Sequence, residues 1–318
     1  MYDKRSGLVT VFGGGGFIGR YVCECLFKTG IRVRVAERHP RRAYFLQPLA
    51  AVGQLDLMSA DITRRESVAH ALEGATAVIN LVGTLKGDFE GLQADGAGIA
   101  AEEAARAGAA ALVHVSAIGA DPASPSRYGS SKGEGEARVR AAFPKATMLR
   151  PSLVFGPEDQ LTNRFAGLMS RLPVYPVIAP RTRFQPVYVR DLAQAIAAAA
   201  LDPKAHAGKT YEIAGPEVVT MRQLTESVGK MAGHSPTLVD LPDFAADALS
   251  YLGFLPGAPL TRDQWLMLRQ DNVADRKSPG LAAFGVTPTP MAAVADEWLS
   301  RFREGGRFAA RRQITPAG

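Results

Sequence analysis

Cysteine is nearly absent. Cys23 and Cys25 are the two in 318 residues, and at a spacing of two on an expected helix they point to different faces. Neither a disulfide framework nor a thiolate metal site follows, and a reducing cytoplasm is the expected compartment. No apolar run is long enough to span a bilayer, and the N-terminal residues lead into a strand without a signal-peptide pattern. Any membrane association is therefore expected to be peripheral. Charge of one sign is lacking too. There are 37 basic against 31 acidic residues, a net of +6, which is mild for this length, and no base-reading motif accompanies it, so nucleic acid is not an expected partner. The basic excess is local, at residues 32–42 and 301–312. A solvated surface accommodates it, as does contact with an acidic partner or anionic lipid. Internal repeats are missing as well.

What is present is apolar residue and glycine. At 47% hydrophobic the chain can bury a large core. It suits an α/β domain with an appended lobe. The organising stretch is Val9-Thr-Val-Phe-Gly-Gly-Gly-Gly-Phe-Ile-Gly19. A short apolar run, four glycines and an apolar-periodic helix form the context that makes a glycine pattern a dinucleotide-binding signature. Gly13 permits a tight turn because it has no Cβ. Gly16 lets the main chain approach a pyrophosphate, and Gly19 lets the helix pack closely. The open N–H groups around Phe17 and Ile18 would hold phosphate oxygens.

Strands are expected at 8–12, 31–36, 54–58, 75–82, 110–116 and 146–150, with helical segments between them at 63–73, 93–107 and 128–143. Alternation of this kind means βαβ units and a parallel sheet. The expected fold is α/β, a Rossmann-type doubly wound parallel sheet with a smaller, mostly helical C-terminal lobe. The expected division is 1–150, with later segments completing it, and 151–318. Beyond Pro151, helices are expected at 161–172, 187–201, 220–232, 243–255, 261–270 and 291–302, a strand at 210–213 and a Pro- and Arg-rich loop at 173–186. The apolar residues of 243–255, followed by an apolar turn at 255–260, fit a helix packed on its own lobe or one facing a partner.

Two constellations carry chemistry. After the second strand come Glu37 and Arg38, then Arg41 and Arg42. An acidic side chain there would bind the adenosine ribose hydroxyls, and a guanidinium would take a 2′-phosphate. The arginine count favours NADP(H) provided that Glu37 points away; NAD(H) is the alternative. Asp61 and Ile62 would flank the adenine, and Leu81, Val82 and Gly83 close the fourth strand beside the cofactor. The second constellation is Tyr128-Gly-Ser-Ser-Lys132. Residues four apart share a helix face. The lysine favours phenolate and can reach the nicotinamide ribose, and the tyrosine can pass a proton to or from a substrate oxygen. Ser116, at the end of the fifth strand, could orient that oxygen.

These motifs, with Arg150-Pro-Ser-Leu-Val-Phe-Gly156 and Pro186-Val-Tyr-Val-Arg-Asp-Leu-Ala193, make residues 8–232 resemble the extended or atypical branch of the short-chain dehydrogenase/reductase superfamily. Arg127-Tyr-x-x-x-Lys, Phe155-Gly-x-Glu-Asp, Asn163-Arg-Phe and Leu260-Thr-Arg-Asp-Gln-Trp bring it nearest to the nucleotide-binding accessory subunits of respiratory complex I and their bacterial relatives. That resemblance implies a tightly held, structural NADPH, a place near the membrane junction of the complex and complex I subunits as partners. A free-standing reductase, epimerase or dehydratase acting on a small carbonyl or sugar-nucleotide substrate through Tyr128 and Lys132 is the rival expectation. A redox-sensing regulator is a third.

Overall fold

The computed structural model describes residues 7–253 and 260–306. The chain divides into two compact units. The first takes the sequence through Pro151 together with Val189–Ala214 and Ala274–Thr287; the second takes Ser152–Tyr188, Gly215–Val273 and the part from Pro288 onward.

The first unit is built on β1 (Leu8–Phe12), β2 (Arg32–Glu37), β3 (Leu55–Ser59), β4 (Ala77–Asn80), β5 (Ala111–Val115) and β6 (Thr147–Pro151). A seventh strand, Thr210–Ile213, lies beside β6, and the order is Thr210–Ile213, β6, β5, β4, β1, β2, β3. Every pairing is parallel. The central strands are covered on both faces. All five residues of β1 and of β5 are therefore buried, and the strands read as near-continuous apolar runs, interrupted by Thr10 and His114, instead of alternating ones. Thr10 is tolerated in β1 because its hydroxyl donates to the Ala71 carbonyl at 3.0 Å.

The helices α1 (Phe17–Lys28), α2 (Arg65–Ala71), α3 (Gly96–Arg106) and α4 (Arg127–Ala142) follow β1, β3, β4 and β5. Helix α1 packs beside the later helix Val189–Leu201, while α3 lies between α2 and α4. The α2–α3–α4 layer is joined to the sheet by a core of Phe12, Ile62, Leu72, Val78, Leu112 and Met148 with the alanines of α3. Helix α4 carries Gly129, Gly133 and Gly135, a costly composition at about 1 kcal/mol each. Close approach explains two of them: a Cβ on Gly133 would collide with the backbone at Pro122, and one on Gly135 with the carbonyl of Gln93.

Several elements differ from the sequence reading or were not foreseen by it. The β2–β3 crossover is a run of 3-10 turns, Pro40–Leu49, with two prolines that cannot serve a full helical ladder. The helix expected at 93–107 starts earlier, as a π-type segment, Glu90–Asp95. The loop expected at 173–186 contains two strands, Val174–Val177 and Arg183–Phe184.

Within the second unit, Val174–Val177 pairs in parallel with Thr237–Asp240, Val154–Phe155 with Val187–Tyr188, and Arg183–Phe184 antiparallel with Val219–Thr220. The helix Gln160–Met169 is capped by Asp159, and Met221–Met231 by a Thr220/Gln223 capping box. The expected 291–302 helix is broken into Met291–Val294, Asp296–Leu299 and a 3-10 turn. Phe155, Tyr188 and Trp298 form an aromatic cluster, with Tyr188 and Trp298 parallel at 6.4 Å. The helix expected at 243–255 is seen as Asp243–Ser250. Residues 254–259, which hold most of the apolar turn expected at 255–260, and the basic tail beyond 306 lie outside the described residues.

Candidate nucleotide site

The sheet order reverses between β1 and β4, and their carboxyl ends open where a parallel α/β sheet binds its ligand. The chain leaves β1 through Gly13, whose φ of +81° only glycine adopts cheaply. Gly16 then donates back to the Gly13 carbonyl at 3.1 Å. Gly16 is exposed and forms the N-cap of α1 with no side chain capping it. The first-turn N–H groups of Phe17, Ile18 and Gly19 thus start a helix whose positive end is open. A Cβ on Gly19 would collide with the Gly13 carbonyl, so the turn is possible only with glycine there. A pyrophosphate fits this arrangement: bare main chain at Gly16 and a helix N-terminus that no side chain caps.

The end of β4 abuts this turn. A Cβ on Gly13 would touch Leu81 and the Val82 nitrogen at 3.4–3.5 Å. Gly83 lies next to Lys132: a Cβ there would be 3.2 Å from its Nζ and 3.2 Å from Gln93 Oε1. The glycine turn, Leu81–Gly83 and Lys132 are therefore neighbours in one crevice. Asp61 and Ile62 follow β3. Burial alone would raise the Asp61 carboxyl, but hydrogen bonds from Thr63 and the charges of Arg38 and Arg64 hold it below the usual range.

Glu37 does not point away. Its carboxylate accepts the N–H of Gly15, so it sits over the glycine turn, while Arg38 is exposed. The condition attached to NADP(H) is not met in this arrangement. The reason is local. Gly15 presents an N–H and no side chain, and the end of β2 lies beside it, so the carboxylate finds a donor.

Ser116 follows β5, and Tyr128 and Lys132 are one turn apart on α4. Lys132 is buried and donates to the Val115 carbonyl at 3.1 Å, one residue before Ser116. Burial lowers its ammonium to about 8, opposed by the charge of Glu136. Tyr128 is half-buried with the ring of Phe89 edge-on at 6.4 Å. Burial pushes its phenol up to about 12, so it stands as a proton donor at neutral pH. The buried Ser116 hydroxyl has no partner of standard geometry among the described residues, though it lies near enough to the Glu136 carboxylate to favour its ionised form.

Two contributors escaped sequence reading. Gln93, fully buried on the π-type segment, donates to Ser131 Oγ at 2.9 Å and accepts from the Thr84 N–H at 3.2 Å, tying the end of β4 to α4. No spacing rule marks a glutamine in an alanine-rich segment. Glu136 does carry a signal, being four residues beyond Lys132. Burial would raise its carboxyl, but Arg150 (2.8 and 2.7 Å) and Arg140 (2.9 Å) keep it ionised. Phe155-Gly-x-Glu-Asp and Asn163-Arg-Phe, two of the motifs that carry the resemblance, lie in the second unit.

The family model described as NAD dependent epimerase/dehydratase matches residues 9–214. The mouse protein named NADH dehydrogenase [ubiquinone] 1 alpha subcomplex subunit 9, mitochondrial, is 34% identical over 308 residues, covering 94% of this chain and 81% of the mouse one. A ceramide reductase of Caulobacter vibrioides is 31% identical over 247 residues, 76% of each chain. Among solved structures, the NADPH-dependent quinone oxidoreductase QOR2 of Escherichia coli, complexed with NADPH, superposes with a TM-score of 0.75 at 22% identity, covering 91% of this chain and 99% of that one. That last likeness concerns the fold alone.

Proposed function

The chain belongs to the NAD dependent epimerase/dehydratase family, and on that premise we propose that it holds a nicotinamide dinucleotide and serves as an accessory subunit of a respiratory NADH:quinone oxidoreductase. The observation that carries this reading is the 34% identity to the mouse complex I subunit along 94% of the chain, well past the glycine turn. Gly13, Gly16 and Gly19, with the N–H groups of Phe17 and Ile18, would cradle the pyrophosphate. Asp61 and Ile62 would flank the adenine, Leu81, Val82 and Gly83 would line the middle, and Lys132 would bind the nicotinamide ribose. Glu37 as found can accept from the adenosine ribose hydroxyls, whereas a 2′-phosphate would meet its negative charge. The geometry therefore favours NAD(H), with NADP(H) entering on Arg38 only if Glu37 releases Gly15.

A second reading is an active reductase of a carbonyl compound, supported by Ser116, Tyr128 and Lys132 together with the ceramide reductase relative. The nicotinamide, when bound, would supply hydride. Tyr128, protonated at neutral pH, would give its proton to the carbonyl oxygen while the Ser116 hydroxyl orients that oxygen and Lys132 steadies the phenolate left behind.

The test is gentle purification followed by mass spectrometry of the released nucleotide and of the co-purifying polypeptides. Respiratory subunits in stoichiometric amount are expected; a protein carrying no nucleotide and binding none on titration ends both readings. Tyr128→Phe separates them. It should leave an accessory subunit unchanged and cost a reductase at least about a hundredfold in turnover.

A further inference from the structure

The β2–β3 crossover, residues 38–54, contains no aspartate or glutamate and three arginines, Arg38, Arg41 and Arg42. Its 3-10 turns, Pro40–Leu49, advance three residues per turn. Ala43 and Leu46, one such turn apart, are fully buried. The two other faces carry Arg41, Tyr44 and Gln47, and Arg42, Phe45 and Pro48, and of these all six are exposed. Tyr44 is 50% exposed, Phe45 37%, Leu49 49%, and Val52 wholly exposed. Among the described residues of the first unit, only Leu85 adds to these four as an exposed large apolar side chain. The Arg20 guanidinium sits 4.3 Å over the Phe45 ring.

We propose that this outward face seats on an anionic lipid surface. The element inverts the usual pattern, placing two small or aliphatic side chains inward and its aromatic, aliphatic and cationic ones outward. Apolar side chains with interleaved arginines and no acidic group match the boundary between lipid headgroups and acyl chains. There Tyr44 sits at headgroup level, Leu49 and Val52 enter the hydrocarbon edge, and Arg41 and Arg42 pair with lipid phosphates. Arginines with no carboxylate among them give the segment a single sign of charge, which a phosphate-bearing surface complements. The inference stands independently of which nucleotide the chain holds.

Co-sedimentation of the full chain with vesicles tests it. Binding is expected to phosphatidylcholine vesicles containing about 30 mol% phosphatidylglycerol, to weaken with salt, and to be absent with phosphatidylcholine alone. Arg41→Gln with Arg42→Gln should weaken partition about twentyfold, roughly fivefold per arginine. Tyr44→Ser, Leu49→Ser and Val52→Ser together should weaken it at least about tenfold. Unchanged melting and circular dichroism would establish that the variants remain folded; a variant that fails this control is replaced by single substitutions at Tyr44 and Arg41. No binding by the wild-type chain, equal binding to neutral vesicles, or wild-type binding by both variants overturns the proposal. Protection of these residues by a co-purifying polypeptide and not by vesicles overturns it as well.

Discussion

The carboxylate of Glu37, at the end of β2, accepts the backbone N–H of Gly15 in the turn that leaves β1. On the proposed reading that carboxylate would meet the adenosine ribose, and its charge would select against a 2′-phosphate. Glu37→Ala removes both the acceptor and the repulsion, leaving Arg38 as the dominant charge. The ratio of NADPH to NADH affinity should rise about tenfold or more, read by parallel fluorescence titrations. An unmoved ratio would mean that Glu37 does not meet the nucleotide.

His114, buried in β5, faces Asn80 through its Nδ1 at 3.2 Å, while its Nε2 has no partner among the described residues. Burial, with Lys132 and Arg140 adding to it and Glu136 opposing, lowers the imidazole to about 3 from an ordinary 6.5. The unfolded chain therefore takes up a proton between those values that the folded chain refuses. This contribution to stability is complete above pH 6.5 and is lost as pH falls from there toward 3, at about 1.4 kcal/mol per unit. Urea midpoints at pH 7 and 5.5 should diverge in the wild-type chain. In His114→Leu they should lie closer together, even if both are lower. Equal slopes would place the acid sensitivity elsewhere.

Glu136 gathers two guanidiniums on a buried carboxylate. Glu136→Ala strands Arg140 and Arg150 against the core. Both arginines reach water in part, so the loss should be about 2–3 kcal/mol, below the full cost of an unpaired interior charge. Chemical denaturation measures it, and Arg150→Met combined with Glu136→Met should recover part of the loss. A change below about 0.5 kcal/mol would show the cluster to be decorative.

Much of the sheet was legible because strands buried on both faces are apolar nearly throughout, and glycine turns and Pro151 punctuate them. The glycine turn was legible for a related reason: Gly13 takes a left-handed φ and Gly19 has no room for a Cβ, and such positions leave a mark in the sequence. Glu37 was not. Its residue type announces a ribose or a repulsion, but the direction of its side chain depends on the Gly15 N–H, which belongs to a different segment. Gln93 was hidden by a π-type segment, since periodicity rules assume 3.6 residues per turn. The strands in 173–186 were hidden because each finds its partner more than thirty positions away and the local composition speaks for a loop.

The outermost strand, Thr210–Ile213, reaches β6 only after the chain has passed through Ser152–Tyr188. During synthesis the six earlier strands can assemble while the flank of Thr147–Pro151 still offers bare amides and carbonyls to any passing strand. A product ending near residue 151 would keep that flank open permanently. It should aggregate even though every glycine of the phosphate turn is in place.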